Sequence, residues 1–159
     1  VGLPMGVAVF ALDVLKGLAG VVVCRTLGME GWELGLAGLF AVLGHSFSPF
    51  MLFKGGKGAA TSLGVILAIY PLAGLISLAT WLLLLKLTRY VSLASMIGVL
   101  VAPVLTYFVH PAHDIELTVM LTLIVLLIVG RHNENIERLV NGTESRIGSK
   151  RKEATADDE

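Results

Sequence analysis

Apolar residues gather into six runs along this chain, at about 3–23, 32–47, 58–69, 72–86, 91–109 and 115–130, and a polar tail, 131–159, follows them. Residues 58–85 and 90–113 carry no Asp, Glu, Lys or Arg, and each window exceeds the roughly 18 uncharged residues that mark a spanning helix. The pattern predicts an all-α fold, a polytopic membrane helix bundle. The 28 residues of 58–85 are too few for two full crossings at about 20 residues each, and Tyr70-Pro71 divides them, because proline turns the preceding residue out of the helix. A helix over 58–69 would reach only about 18 Å at roughly 1.5 Å per residue, against a hydrocarbon core of about 30 Å. It is a half-membrane helix, so the KGGKG stretch before it is expected in a recess walled by protein, where irregular backbone is tolerated.

Composition agrees: 55% of the 159 residues are hydrophobic and 15% charged, with a mean hydropathy of +0.84, outside the usual range of a soluble domain. The formal net charge is zero, which gives no pull toward nucleic acid. The single cysteine, Cys24, excludes an internal disulfide. The start, VGLPMGVAV, lacks the basic region and cleavage site of a signal peptide and reads as a chain that begins partway through something. The organisation expected is a helix bundle over 1–130, a cytoplasmic segment over 131–150 carrying the last polar motif, and a disordered charged tail over 151–159.

Lys and Arg fall on alternate loops. Lys54 and Lys57 follow the second run, Lys86 and Arg89 the fourth, and Arg131, Arg138, Arg146 and Lys150 the sixth, whereas the opposite loops offer only Arg25. With every run counted as a crossing, this bias places the three basic regions on the cytoplasmic side.

The candidate chemistry lies on that side. Lys54, Gly55, Gly56, Lys57 and Gly58 lead into Ala59-Ala60-Thr61, and glycines that admit a ligand, the free amides of a helix start and two cations make a phosphate cradle. It is no Walker motif, since Met51 stands where the first glycine would be and Gly58 where the hydroxyl would be; a flexible loop with snorkelling lysines is the alternative. His132 and Asn135 share a face if the last helix runs on, and could orient a hydroxyl. Arg89 and Ser92 offer a cation and a hydroxyl. Asp13 and Lys16, three apart within the first run, read as an inward-facing pair, functional or structural, and His45 as a ligand neighbour or a satisfied interfacial histidine. His110 and His113 have no Cys or carboxylate at ligand spacing, so no metal is expected.

The stretches LDVLKG, GHSFSPFMLFKGGKGAATSLGV, TRYVSLASM and RHNENIERLVNGTESRIG together resemble the bacterial acyl-phosphate:glycerol-3-phosphate acyltransferase family, in order and spacing, through about residue 148. That family begins with a further membrane helix and a GSGN-type polar loop. The resemblance therefore implies a seven-helix bundle of which six helices are here, the chain being truncated at its N-terminus. It implies a bacterial inner-membrane enzyme, its site facing the cytoplasm. The enzyme would move an acyl group from acyl phosphate to the 1-hydroxyl of sn-glycerol 3-phosphate, giving lysophosphatidic acid and phosphate in phospholipid synthesis, with no cofactor. His132, Asn135 and Lys57 would be catalytic, and Lys54, Gly55, Gly56, Gly58, Thr61, Arg89 and Ser92 would bind phosphate or substrate, with Asp13, Lys16 and His45 as further candidates. The partners implied are the two substrates, the bilayer and the enzyme that forms acyl phosphate. A phosphate or small-anion carrier built on a broken helix is the alternative.

Overall fold

The structure, a computed structural model, describes residues 2–49, 52–53, 55–109 and 114–148. Lys54, His110, His113 and the 151–159 tail lie outside the described residues. Each apolar run forms a helix: α1 Leu3–Thr26, α2 Gly31–Ser46, α3 Ala59–Ile69, α4 Pro71–Thr88, α5 Val91–Val109 and α6 Ile115–Arg131, followed by a short α7, Asn133–Val140. Pro4 lies in the first turn of α1 and Pro71 opens α4, positions whose N–H has no helical partner to lose. Tyr70, extended at φ −139°, breaks α3 from α4. Asp114 starts α6 by accepting a hydrogen bond from the Leu117 amide at 3.0 Å.

Among the described residues, α1, α4 and α5 are long and apolar enough to cross a membrane, and α6 with α7 is a fourth if that bent pair counts as one span. The 16 residues of α2 and 11 of α3 fall short of a full crossing. The short helix holds the middle of the bundle: α3 touches α1, α2, α4, α5 and α6, and Thr61 through Ile66, Ala68 and Ile69 are buried. A helix apolar on every face must be enclosed, and one too short to reach both water layers needs protein around its ends. Gly17 of α1 lies against Thr61, and Gly64 of α3 against Val14, so closely that a side chain on either would collide with backbone. Outward, Leu12, Phe40, Leu83, Phe108 and Leu126 are each more than half exposed, a surface suited to lipid.

The two ends of the bundle differ. At one, Arg25 donates to the Ile69 carbonyl at 3.0 Å and the Trp32 amide to Glu116 at 3.1 Å. At the other, Arg131 donates to the Gly55 carbonyl at 3.3 Å and the Ile147 amide to the Arg89 carbonyl at 2.9 Å. That second end gathers the Gly-rich loop, the α4–α5 turn and the segment after α6.

Candidate active site

The loop before α3 ends on Gly58, whose φ of +84° is left-handed and whose missing Cβ would press on Val42 at 2.8 Å, so only glycine fits without strain. This turn aims the start of α3 at a cavity of about 340 Å³, which Gly56, Lys57, Gly58, Ala59 and Ala60 line at its polar end. Phe10, Leu63, Ile66, Trp81 and Val99 line the rest, which makes it an apolar slot capped by amides and a lysine. Phe10 stacks on Trp81 with ring centroids 5.5 Å apart, and Trp81 Nε1 donates to Ser95 at 3.2 Å. The Ser77 hydroxyl, buried in the same wall, has no partner among the described residues.

A second cavity, about 290 Å³, shares Lys57, Val91 and His132 with the first, and Ser92, Asn135, Glu144 and Arg146 complete its polar wall. Its framework is a carboxylate. Glu144 accepts from Ser92 Oγ at 2.6 Å, from Asn135 Nδ2 at 2.7 Å and from Arg138 Nε at 2.7 Å. Burial pushes the Glu144 carboxyl up, but the hydrogen bonds from Ser92, Asn135 and Arg138 outweigh it and hold the group below its ordinary value. Because the Asn135 amide nitrogen is committed to Glu144, its carbonyl faces Lys57, whose ammonium donates to it. Arg146 donates to the Tyr90 hydroxyl at 2.9 Å and lies over that ring.

His132, 4% exposed, stands at the junction of the cavities. The last helix does not run straight on: the chain bends by 60° between α6 and α7 at this residue. Its Nδ1 lies 2.7 Å from the Ile128 carbonyl. A carbonyl only accepts, so Nδ1 carries the proton and Nε2 is free to accept.

Lys57, Gly56, Gly58, His132, Asn135 and Ser92 therefore meet at one end of the bundle, joined by Asp13 and His45 on the wall of the apolar slot. Lys16 holds Asp13 at 2.5 Å and opens on a third cavity with them. Two expected residues lie elsewhere: Thr61 is fully buried against Gly17 of α1, and the exposed Arg89 lines none of these cavities and joins the site through its carbonyl. Gly55 contributes the carbonyl that Arg131 holds. Glu144, Arg131, Arg138 and Arg146 were not anticipated as site residues. The arginines are signalled by the loop-charge bias and by their place in the RHNENIERLVNGTESRIG stretch, Glu144 only by the latter, since it reads as a solvated tail carboxylate.

The family model for glycerol-3-phosphate acyltransferase matches residues 1–142. The chain belongs to this family. Among acyltransferases similar to it, the glycerol-3-phosphate acyltransferase of Fusobacterium nucleatum is 42% identical over 146 residues, covering 92% of this chain and 74% of that one. That of Laribacter hongkongensis is 43% identical over 144 residues, covering 88% and 70%. Two crystal structures of PlsY (YgiH), an integral membrane glycerol 3-phosphate acyltransferase, superpose with a TM-score of 0.84 at 40% identity over 91% of this chain. They cover 72% and 74% of those chains and are its glycerol 3-phosphate and lysophosphatidic acid forms.

Proposed function

We propose that this membrane-embedded acyltransferase moves a fatty acyl group to the 1-hydroxyl of sn-glycerol 3-phosphate, with an acyl phosphate as donor. The observation that carries this reading is the pair of cavities of unlike polarity that share Lys57 and His132. An amphiphile with a phosphate head and a hydrocarbon tail matches the slot whose mouth is Lys57 and the α3 amides and whose walls are apolar. Glycerol 3-phosphate matches the smaller polar cavity, where Lys57 and Arg146 supply positive charge and Asn135 and Ser92 lie on the wall. An acyl phosphate is a mixed anhydride with a good leaving group, so positioning and charge stabilisation supply most of what the reaction needs.

In this reaction the hydroxyl oxygen attacks the acyl carbonyl carbon and the new ester C–O bond forms. The C–O bond to phosphate breaks and its electron pair leaves on the phosphate. The hydroxyl proton has two acceptors, Nε2 of His132 and an oxygen of the donor phosphate. The end of the bundle with Lys57, Lys86, Arg89, Arg131, Arg138 and Arg146 faces the cytoplasm of a bacterial inner membrane by the positive-inside bias. There α3 serves as a half-depth crossing that keeps the Gly-rich loop recessed, and the 131–148 segment roofs the site. An upstream acyl-phosphate-forming enzyme supplies the donor. The relatives are named as acyltransferases, which leaves the anion-carrier alternative without support.

The test is lysophosphatidate and phosphate formation from acyl phosphate and glycerol 3-phosphate by the full-length enzyme in lipid. Lys57→Ala, which strips the cation shared by both cavities, is expected to lower turnover at least ~100-fold. Near-normal turnover, or phosphate flux across proteoliposomes without acyl transfer, would remove the reading.

A further inference from the structure

His45 and His132 line the same apolar slot, and their partners give their outer nitrogens opposite roles. Lys16 meets His45 at Nδ1 and is itself held by Asp13 at 2.5 Å. An ammonium has three donors and no acceptor, so Nδ1 of His45 accepts and the ring proton sits on Nε2. A doubly protonated ring would set N–H against N–H and lose this contact. The Asp13 carboxylate stands 3.6 Å from Nδ1, beyond hydrogen-bond reach. His132 is the reverse case, with Nδ1 donating to Ile128 and Nε2 accepting. The slot thus has one histidine donor and one histidine acceptor on its wall.

The donor stands at the phosphate cradle. A Cβ added to Gly56 would fall on Nε2 of His45 before any other atom, so the ring edge lies directly against the Gly-rich loop. Among the described residues no hydrogen bond takes this Nε2. His45 lines the apolar slot but not the polar cavity of Asn135 and Glu144, which directs it to the acyl donor and away from glycerol 3-phosphate.

We propose that Nε2–H of His45 donates a hydrogen bond to the phosphoryl group of the acyl donor, beside Lys57 and the α3 amides, with Asp13 and Lys16 as positioning residues that hold the ring in this tautomer. The proposal rests on the acyltransferase reading. The proton stays on Nε2 throughout; the bond strengthens as the breaking C–O bond leaves negative charge on phosphate.

Initial rates of the full-length enzyme in lipid, with each substrate varied and inorganic phosphate as product inhibitor, test this in His45→Phe and His45→Gln. Phe keeps the ring against Gly56 and removes the donor, and Gln places an amide N–H near the position of Nε2. His45→Phe is expected to lower kcat/KM for the acyl donor about 10- to 100-fold, the loss of one hydrogen bond to a charged group. It is expected to weaken inhibition by inorganic phosphate by a similar factor and leave KM for glycerol 3-phosphate within about twofold. His45→Gln restores most of the loss. Lys16→Met lowers the same donor parameter in the wild-type background and has no further effect beside His45→Gln, because the coupling runs through the imidazole. Unchanged donor kinetics and phosphate inhibition in His45→Phe, or equal losses in Phe and Gln on both substrates, overturns the proposal. Histidine ¹⁵N spectra of the wild-type protein read the tautomer without relying on any variant's folding: a protonated Nε2 at His45 supports it, and a neutral ring protonated at Nδ1 overturns it. A wild-type enzyme that transfers no acyl group fails the acyltransferase reading instead.

Discussion

Replacing Glu144 by alanine takes away the carboxylate on which Ser92, Asn135 and Arg138 converge. A hydrogen bond to a charged group contributes about 1.5–3 kcal/mol net. Ser92 and Asn135 are 5% and 7% exposed, so both lose an acceptor where little solvent replaces it, although the adjoining polar cavity admits water and returns part of the loss. A net cost of about 2 kcal/mol in the ordering of Asn135 corresponds to roughly 30-fold. Asn135 then turns freely, and its carbonyl no longer fixes the Lys57 ammonium. With glycerol 3-phosphate varied at saturating acyl phosphate, Glu144→Ala is expected to lower kcat/KM for glycerol 3-phosphate by about that factor. Glu144→Gln should fall between, since its amide oxygen still accepts but carries no charge. An unchanged kcat/KM in folded Glu144→Ala would refute the reasoning. The same carboxyl carries a pH signature: it is held below its ordinary 4.5 in the fold, so its stabilisation is fully present above about 4.5 and is lost as pH falls through the lower folded value. Amide protection over α7 should therefore drop in acid in the wild type and depend less on pH in Glu144→Gln.

Three further outcomes follow from the site. His132→Gln is expected to lower kcat about 100-fold through loss of the Nε2 acceptor; a retained rate with an unchanged pH profile would assign the hydroxyl proton to the donor phosphate. Gly58→Ala forces a side chain into a left-handed turn, at a cost of about 1–2 kcal/mol before the contact with Val42. Its thermal midpoint should fall and phosphate inhibition weaken, and an unchanged midpoint would contradict the turn. Cysteines placed at Phe53 and Asn133 should both label from the cytoplasmic face, and opposite accessibility would break the topology.

The helices were legible because the signals are local. The Gly-rich loop and Tyr70-Pro71 bound α3 on its two sides and make it short, and its length then forces it into the centre of the bundle. The convergence of Lys57 with His132 and Asn135 was legible because loop charges put them at the same membrane face. What stayed hidden is rotational and long-range. Thr61 is only three residues past Gly58, yet the phase of α3 turns it onto Gly17 of α1, and nothing in its neighbours announces that. The carboxylate of Glu144 gains its meaning from Ser92, 52 residues away. The bend at His132 has no proline to mark it, and it sets α7 so that Asn135 faces Lys57 where a straight helix would carry it onward. The tautomer of His45 depends on Lys16 of another helix, so no motif around GHSF reveals it.

The most direct test is an experimental structure of the full-length enzyme holding glycerol 3-phosphate together with a non-hydrolysable acyl phosphonate. The two-cavity arrangement predicts the phosphonate at Gly56, Lys57 and Gly58 with its tail along Ile66 and Trp81, and glycerol 3-phosphate beside Asn135 and Ser92 with its hydroxyl toward His132. Both phosphorus groups in one cavity, or an acyl tail lying outside the Phe10–Trp81 slot, would contradict it.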